Sequence, residues 1–473
     1  MGQEISETRF SEKDFSEFAE RLRLETEHLR EKIAGGELEA GAPSAGCELE
    51  AWLVDALGQP APVNGQLLKS LNHPDVVPEL STFNVELNTA PQKLASGSLE
   101  KLHAQLTRLW QHCEREANKL GAHMLMTGIL PTVRQSDLCL ENISSMHRFL
   151  ALNEQIFKLR GGVPIELDIE GAEHLTLSHH DLMLEAATTS FQIHYKVAPQ
   201  DAVRAFNASK ILSAPLVAIA ANSPYLFGYD LWEETRIPLF EQAVAVGGSP
   251  YSRRVTFGVR YARDSIMEVF DANREFYPVL LPELMDTPLD ECAHLRLHNG
   301  TIWRWNRPLL GFSPNGDTHL RIEQRVAPAG PTLSDMLANT AFYYGALTAL
   351  LDPGDPVEQR LPFEQAAKNF YACSRYGLQA NVVWFDGARS RMQELVVQEL
   401  LPLASRGLEQ LGYSAEDAGH WLGIVRERVL SGRTGSRWQR SWIARHGRNF
   451  GELVTRYREL QASDIPIHEW PAP

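Results

Sequence analysis

Disulfide and zinc chemistry are the first things this sequence lacks. Its five cysteines (Cys47, Cys113, Cys139, Cys292 and Cys373) are odd in number, scattered over 473 residues and free of any CxxC pair. That spacing argues against a disulfide framework or a zinc ribbon. No apolar run approaches the roughly 20 residues of a membrane span. The opening MGQEISETRF has no basic region followed by an apolar one, so no export signal is legible. It fits the loose myristoylation pattern through Gly2 and Ser6, but acidic residues follow where basic ones would reinforce an anchor. Positive charge is scarce: 45 Lys and Arg face 60 Asp and Glu, a formal net charge of −15. Nucleic acid and anionic membranes are therefore poor partners for the chain as a whole. No GxGxxG or GxxxxGK[ST] segment occurs, which argues against a nucleotide cradled at a helix N-terminus. These absences leave a cytoplasmic protein as the expectation, and the sequence sets no oligomeric state.

What is present is ordinary globular composition, 44% hydrophobic and 22% charged, enough for a sizeable core. Length alone fits about three domains or one large elaborated one. Residues 11–34 read as a helix with the stripe Phe15, Phe18, Leu22 and Leu29, ended by Gly35-Gly36. CELEAWLV (47–54), HMLMTGIL (123–130), VPIELDI (163–169), TSFQIHYKV (189–197) and HLRIEQRV (319–326) read as strands. Helices are expected from Ser98 to Gly121, over 144–160, and from Pro199 to the stop at Asn222-Ser223-Pro224. From Ala388 to Leu460 the pattern is mainly helical, with a break near SGRTGS (431–436). Strands and helices mix without regular βαβ order, which favours α+β.

The strands carry acids where acids are costly. Side chains two apart on a strand share a face. Glu48 and Glu50 therefore point the same way, as do Glu86 and Asn88, Gln192 and His194, and Glu323 and Arg325. Glu79 is an odd number of positions from Glu86, but Ser81-Thr82 between them reads as a turn that can bring it round. Each pattern alone has a plain reading: a solvent face, a hydrogen-bonded core histidine, a surface ion pair worth under about 1 kcal/mol. Together, on one sheet, five carboxylates and an imidazole would converge, and a bound cation is the simplest way to neutralise them. Oxygen-rich donors with one imidazole suit Mg²⁺ or Mn²⁺ better than zinc, and such ions hold phosphates. His179-His180-Asp181 reads as a loop rather than a ligand set. Trp303, Trp305 and Arg307 read as packing with a polar edge, with ring stacking on a base as the alternative. The late arginines (Arg426, Arg428, Arg433, Arg437, Arg440, Arg445 and Arg448) read first as a solvated helix face, and second as a phosphate-facing segment.

The order GCELEAWLVD (46–55), ELSTFNVELNT (79–89), TTSFQIHYKV (188–197), AANSPYLFG (220–228), GTIWRWNRP (300–308) and THLRIEQR (318–325) resembles the glutamate–cysteine ligase family. The similarity is greatest to the branch with the plant and many bacterial enzymes and related carboxylate–amine ligases, over residues 46 to about 460. The resemblance implies a glutamine-synthetase-like fold: an antiparallel sheet forming a funnel-shaped active site flanked by helices. It further implies a lead-in over 1–45, a catalytic core over 46–387 and a helical segment over 388–473 packed on the same domain. Carried over residue by residue, it implies Glu48, Glu50, Glu79, Glu86, His194 and Glu323 as metal ligands. Gln192, Arg236 and Arg325 become substrate or phosphate contacts, with Arg236 and Arg325 catalytic. Glu234 stands where the family usually has Ser. SGRTGSRWQR (431–440) resembles the family's late glycine-and-glutamine segment. ATP and Mg²⁺ (or Mn²⁺) are the implied cofactors. The implied reaction joins the γ-carboxylate of glutamate to an amine, with cysteine as the family's amine, through an acyl phosphate. A guanidino phosphotransferase, a metal-dependent phosphoester hydrolase and a silent binding relative are the competing readings.

Overall fold

A computed structural model of the chain describes residues 4–246 and 253–472; Gly2 of the myristoylation pattern lies outside them. Eight strands form one antiparallel sheet: β1 (Ser44–Val54), β2 (Val76–Pro78), β3 (Asn84–Asn88), β4 (Gln92–Lys93), β5 (His123–Leu125), β6 (Phe191–Val197), β7 (Asn306–Phe312) and β8 (Thr318–Gln324). Their order is β7-β8-β6-β1-β3-β2, with β4 and β5 also paired to β1. β1 is the spine. Its side chains alternate between the apolar Cys47, Leu49, Ala51 and Leu53, all buried, and the acidic pair Glu48 and Glu50.

Around the sheet stand α1 (Glu12–Ala34), α2 (Ser98–Lys119), α3 (Ala202–Ala220), α4 (Met267–Phe276), α5 (Ala293–Gly300), α6 (Leu333–Ala349), α7 (Leu401–Gln410), α8 (Ala415–Ser431), α9 (Gly435–His446) and α10 (Phe450–Gln461). α1 starts at a capping box, in which Ser11 and Asp14 each satisfy the other's backbone amide. It docks on α5 through Glu25, which accepts from His294 Nδ1 (2.6 Å) and Leu295 N (2.8 Å). α3 is the one helix among the described residues long and apolar enough to cross a membrane, but 89% of that stretch is buried inside the protein. It is a core helix against the back of β7 and β8: Gln324 and Asn306 reach Ser209 and Ser213 there. α6 and α7 cross in backbone contact. A Cβ on Gly345 would stand 2.1 Å from the Ala404 carbonyl oxygen, and one on Gly407 closer still to Gly345 O.

One expected strand is shorter than its sequence. Of residues 123–130 only His123–Leu125 pairs in the sheet. Beyond it, the Gln461 side-chain amide takes both backbone groups of Met126, donating to its oxygen (2.8 Å) and accepting from its nitrogen (2.9 Å). Gly128 N goes to Asn222 O. Distant side chains and loops thus satisfy the backbone that a neighbouring strand would otherwise pair.

Candidate active site

Strand register assembles the site. Glu50 lies opposite Glu86 across β1–β3, and Glu48 opposite Gln192 across β1–β6. His194 lies opposite Glu323 across β6–β8, and Glu323 opposite Arg307 across β8–β7. Facing residues share a side of the sheet, so one face carries the acids, the histidine and the arginines. β2 and β3 form a hairpin whose turn, at Ser81-Thr82, returns Glu79 to the same face.

The six acidic and imidazole groups fall into two triads. Glu48, His194 and Glu323 bring one ligand atom each within 4.8 Å of one another, and Glu50, Glu79 and Glu86 do the same. The first triad is almost sealed from solvent. Neither ring nitrogen of His194 has a hydrogen-bond partner; Nε2 comes within 3.2 Å of Glu48 Oε1 without hydrogen-bond alignment. Arg307 grips Glu323 with two bonds, from Nε (2.8 Å) and Nη2 (3.0 Å), and Arg325 Nη1 adds a third at 3.2 Å. Burial alone would raise the Glu323 pKa, but Arg307 and Arg325 hold it well below the usual carboxylate range.

The second triad has neutral partners. Glu50 accepts from Ser190 N, Ser190 Oγ and Gln192 Nε2; Glu86 accepts from Asn88 Nδ2, and Glu79 from Leu80 N. Burial, then Glu86 and Glu50, push Glu79 well above the ordinary carboxylate range. Burial, then Glu48, raises Glu86. A buried imidazole with neither nitrogen hydrogen-bonded, and three carboxylates with no ion pair to a Lys, Arg or His among the described residues, are what a pair of hard divalent ions would complete. The donor sets fit Mg²⁺ or Mn²⁺: carboxylate oxygens in one triad, carboxylates with one imidazole in the other.

Beside the triads lies a cavity of about 200 Å³. Glu50, Glu79, Glu86, Gln192, Arg307 and Arg325 line its polar end. Gln192 bridges the site, donating to Glu50 and accepting from Arg325 Nη1. Two lining residues escape strand-pattern reading. Arg148 comes from the helix His147–Leu159 and Glu185 from the short 3-10 helix Leu182–Ala187. Burial, then Glu50, raises the Glu185 carboxyl to about 8. Neither has a periodic partner in sequence; only the fold brings them in. Arg307 was legible as a polar edge near Trp305, not as the clamp on Glu323.

Two sequence expectations change. Arg236 does not line the cavity. It is 2% exposed, and its guanidinium bonds Glu234 Oε1 and the carbonyls of Arg325 and Val326, beside the Trp305 ring. It fixes the backbone that carries Arg325, because Glu234, where the family usually has Ser, keeps its charge within the fold. The late arginines form neither a solvated face nor a phosphate-facing segment as a group. Arg428 pairs with Asp335 (3.0 Å), Arg437 with Glu233 (2.9 Å), and Arg448 with Glu173 (2.9 Å). Arg440 bonds both Asp230 and Glu233 (2.6 and 2.7 Å), while Arg433 caps the carbonyls of His468 and Trp470. They tie the C-terminal helices to the core, and Arg426 pairs with its neighbour Glu427. Trp305 is fully buried with Nε1 on Glu241, so it cannot stack on a ligand; Trp303 does line the cavity. The glycine-and-glutamine segment has a packing role: Gly435 lies against Asn222, where a Cβ would stand 2.0 Å from Oδ1, and Gln439 Nε2 donates to that oxygen (3.0 Å). His179 bonds Asp181, which caps the helix Leu182–Ala187.

An α+β fold with paired acidic centres and arginines at one sheet face defines an ATP-dependent carboxylate–amine ligase. Residues 44–456 match glutamate–cysteine ligase family 2 (GCS2), and the chain belongs to that family. No curated protein matches the chain. Among solved structures, the fold is similar to glutamate–cysteine ligase from Francisella tularensis in complex with AMP. That pair is 13% identical, covering 92% of this chain and 91% of that one, with TM-score 0.57. It is also similar to a bifunctional glutathione synthetase from Pasteurella multocida, 13% identical over 93% of this chain and 55% of that one, with TM-score 0.52.

Proposed function

We propose that the protein uses ATP to join the γ-carboxylate of glutamate to the amino group of cysteine, through an acyl phosphate. The observation that carries this reading is the pair of triads on neighbouring strands: the second lines a cavity whose polar end also presents Arg325 and Arg307, and Arg307 grips Glu323 of the first. Family membership supports the substrates.

The two triads are the residues that would hold Mg²⁺ or Mn²⁺, which would supply Lewis-acid polarisation of the phosphates and of the carboxylate. Arg325 is 8% exposed and held by Gln192 and Glu323, so its guanidinium is preorganised to offset charge on the transferred phosphoryl group. Arg307 fixes Glu323 and so sets the geometry of the first triad. Glu185 is the one described cavity-lining carboxylate outside both triads, and is so placed to take the proton that an attacking ammonium must lose. The apolar walls, among them Leu80, Phe149, Leu182 and Leu297, exclude water that would hydrolyse an acyl phosphate.

The test is release of ADP over a panel of carboxylate and amine pairs with Mg²⁺. Release that needs both glutamate and cysteine supports the proposal. Release with one substrate alone, giving a phosphorylated guanidine or a cleaved ester, contradicts it.

A further inference from the structure

Behind the sheet lies a second cavity of about 350 Å³, between α3, α4 and residues 258–262. Lys210 reaches into it from α3 and is 1% exposed. Its Nζ donates to Phe257 O (2.6 Å) and lies 4.7 Å and 5.2 Å from the ring centroids of Phe206 and Phe257. Arg304 lines the same cavity; Nη2 donates to the Tyr277 hydroxyl (3.0 Å), and its buried Nε has no hydrogen-bond partner. Arg254, wholly buried, stands 5.8 Å from the centroid of the Tyr277 ring, and its Nε is likewise unmatched.

Among the described residues, no carboxylate pairs with any of these three cations. The acid lining the cavity, Glu268, is taken by Arg260 (2.9 Å) and by the amides of Arg263, Asp264 and Ser265. A buried cation without a counter-charge costs several kcal/mol, and the cost rises when cations are neighbours. Burial, then Arg304, pushes the Lys210 ammonium well below the ordinary lysine range. An anion between Lys210 and Arg304 would stabilise the charged lysine that burial disfavours. Four of the cavity's lining residues are aromatic: Phe206, Tyr261, Tyr277 and the 64% exposed Phe276. Flat apolar bodies fit such walls.

We propose that this cavity binds a small organic anion, its charged group between Lys210 and Arg304 and its flat apolar body against the rings. The site is separate from the catalytic face: α3 contacts Asn306 and Gln324, whose side chains alternate with Arg307, Glu323 and Arg325 across the strands.

The test is titration calorimetry on the full chain with ATP and Mg²⁺ saturating, using phenylacetate, phenyl phosphate and, as a neutral control, benzyl alcohol. Binding of either anion but not the alcohol supports the site, and the tighter of the two identifies the anion as carboxylate or phosphate ester. Lys210→Met should weaken that binding by more than about tenfold, since a charge-assisted hydrogen bond is lost. Arg304→Gln, at a half-buried position, should weaken it in the same way and keeps the test decisive if the lysine variant fails to fold. The proposal is overturned if neither anion binds, if the alcohol binds equally well, or if binding survives in Arg304→Gln.

Discussion

At the scale of single residues, Glu86 states the problem most sharply. It sits 2% exposed in a strand, near Glu48, Glu50 and Glu79, and among the described residues accepts one hydrogen bond, from Asn88. A carboxylate so placed is destabilising unless a cation joins it. Glu86→Gln removes charge at constant size. Ligase turnover should fall by about 10²-fold or more through lost metal affinity, while the thermal midpoint in EDTA rises as repulsion is relieved. Wild-type turnover at limiting Mg²⁺ would remove Glu86 from the ligand set. Arg325→Lys keeps a positive charge but loses the planar fork shared by Gln192 and Glu323. ATP affinity should hold within a few-fold, and phosphoryl transfer should slow by about 10²-fold in rapid-quench measurements. Equal rates would mean that Arg325 faces no transferred charge.

At the scale of elements, alternation made the acidic strands legible. Glu48 with Glu50, and Glu323 with Arg325, are two apart and do share a face, and the turn at Ser81-Thr82 does return Glu79. Alternation has no means of registering groups that arrive from other elements. Glu185 and Arg148 come from helices, Gln461 displaces a strand partner from Met126, and Arg236 turns to the carbonyls of Arg325 and Val326. The late arginines were misread because their partners, among them Asp335 and Glu233, lie far away in sequence. The division of the six candidate ligands into two triads also depends on strand register, which one-strand patterns do not fix. The α6–α7 crossing gives an element-scale prediction. Gly345→Ala places a methyl group 2.1 Å from Ala404 O, so the helices must separate. Denaturant unfolding should report a loss of about 1–3 kcal/mol, and an unchanged midpoint would show that the crossing is loose.

At the scale of the whole molecule, the acidic centre links stability to pH and to metal. Glu79 and Glu86 are raised above their ordinary value of 4.5, and Glu185 to about 8. At these three carboxyls the folded state binds more protons than the unfolded one, so their contribution to metal-free stability falls as pH rises from about 4.5 to about 8, while His298 and His319, lowered to about 4, act in the opposite sense at the acid end. Glu323 also acts in the opposite sense: lowered in the fold, it contributes stability above the ordinary carboxylate range that is lost as pH falls towards its folded pKa. The rise in thermal midpoint that Mg²⁺ produces over EDTA should therefore grow across that window, as these carboxyls come to ionise. A midpoint insensitive to Mg²⁺ at pH 8 would argue against both triads as metal sites.

The central claim is that this face of the sheet activates a carboxylate by phosphorylating it. Transfer of ¹⁸O from labelled glutamate γ-carboxylate into released phosphate tests it most directly, with ATP, Mg²⁺ and the amine present. An acyl phosphate must break its acyl carbon–oxygen bond when the amine attacks, so one labelled oxygen per amide should leave in phosphate. Amide formed at the normal rate with unlabelled phosphate would contradict the account.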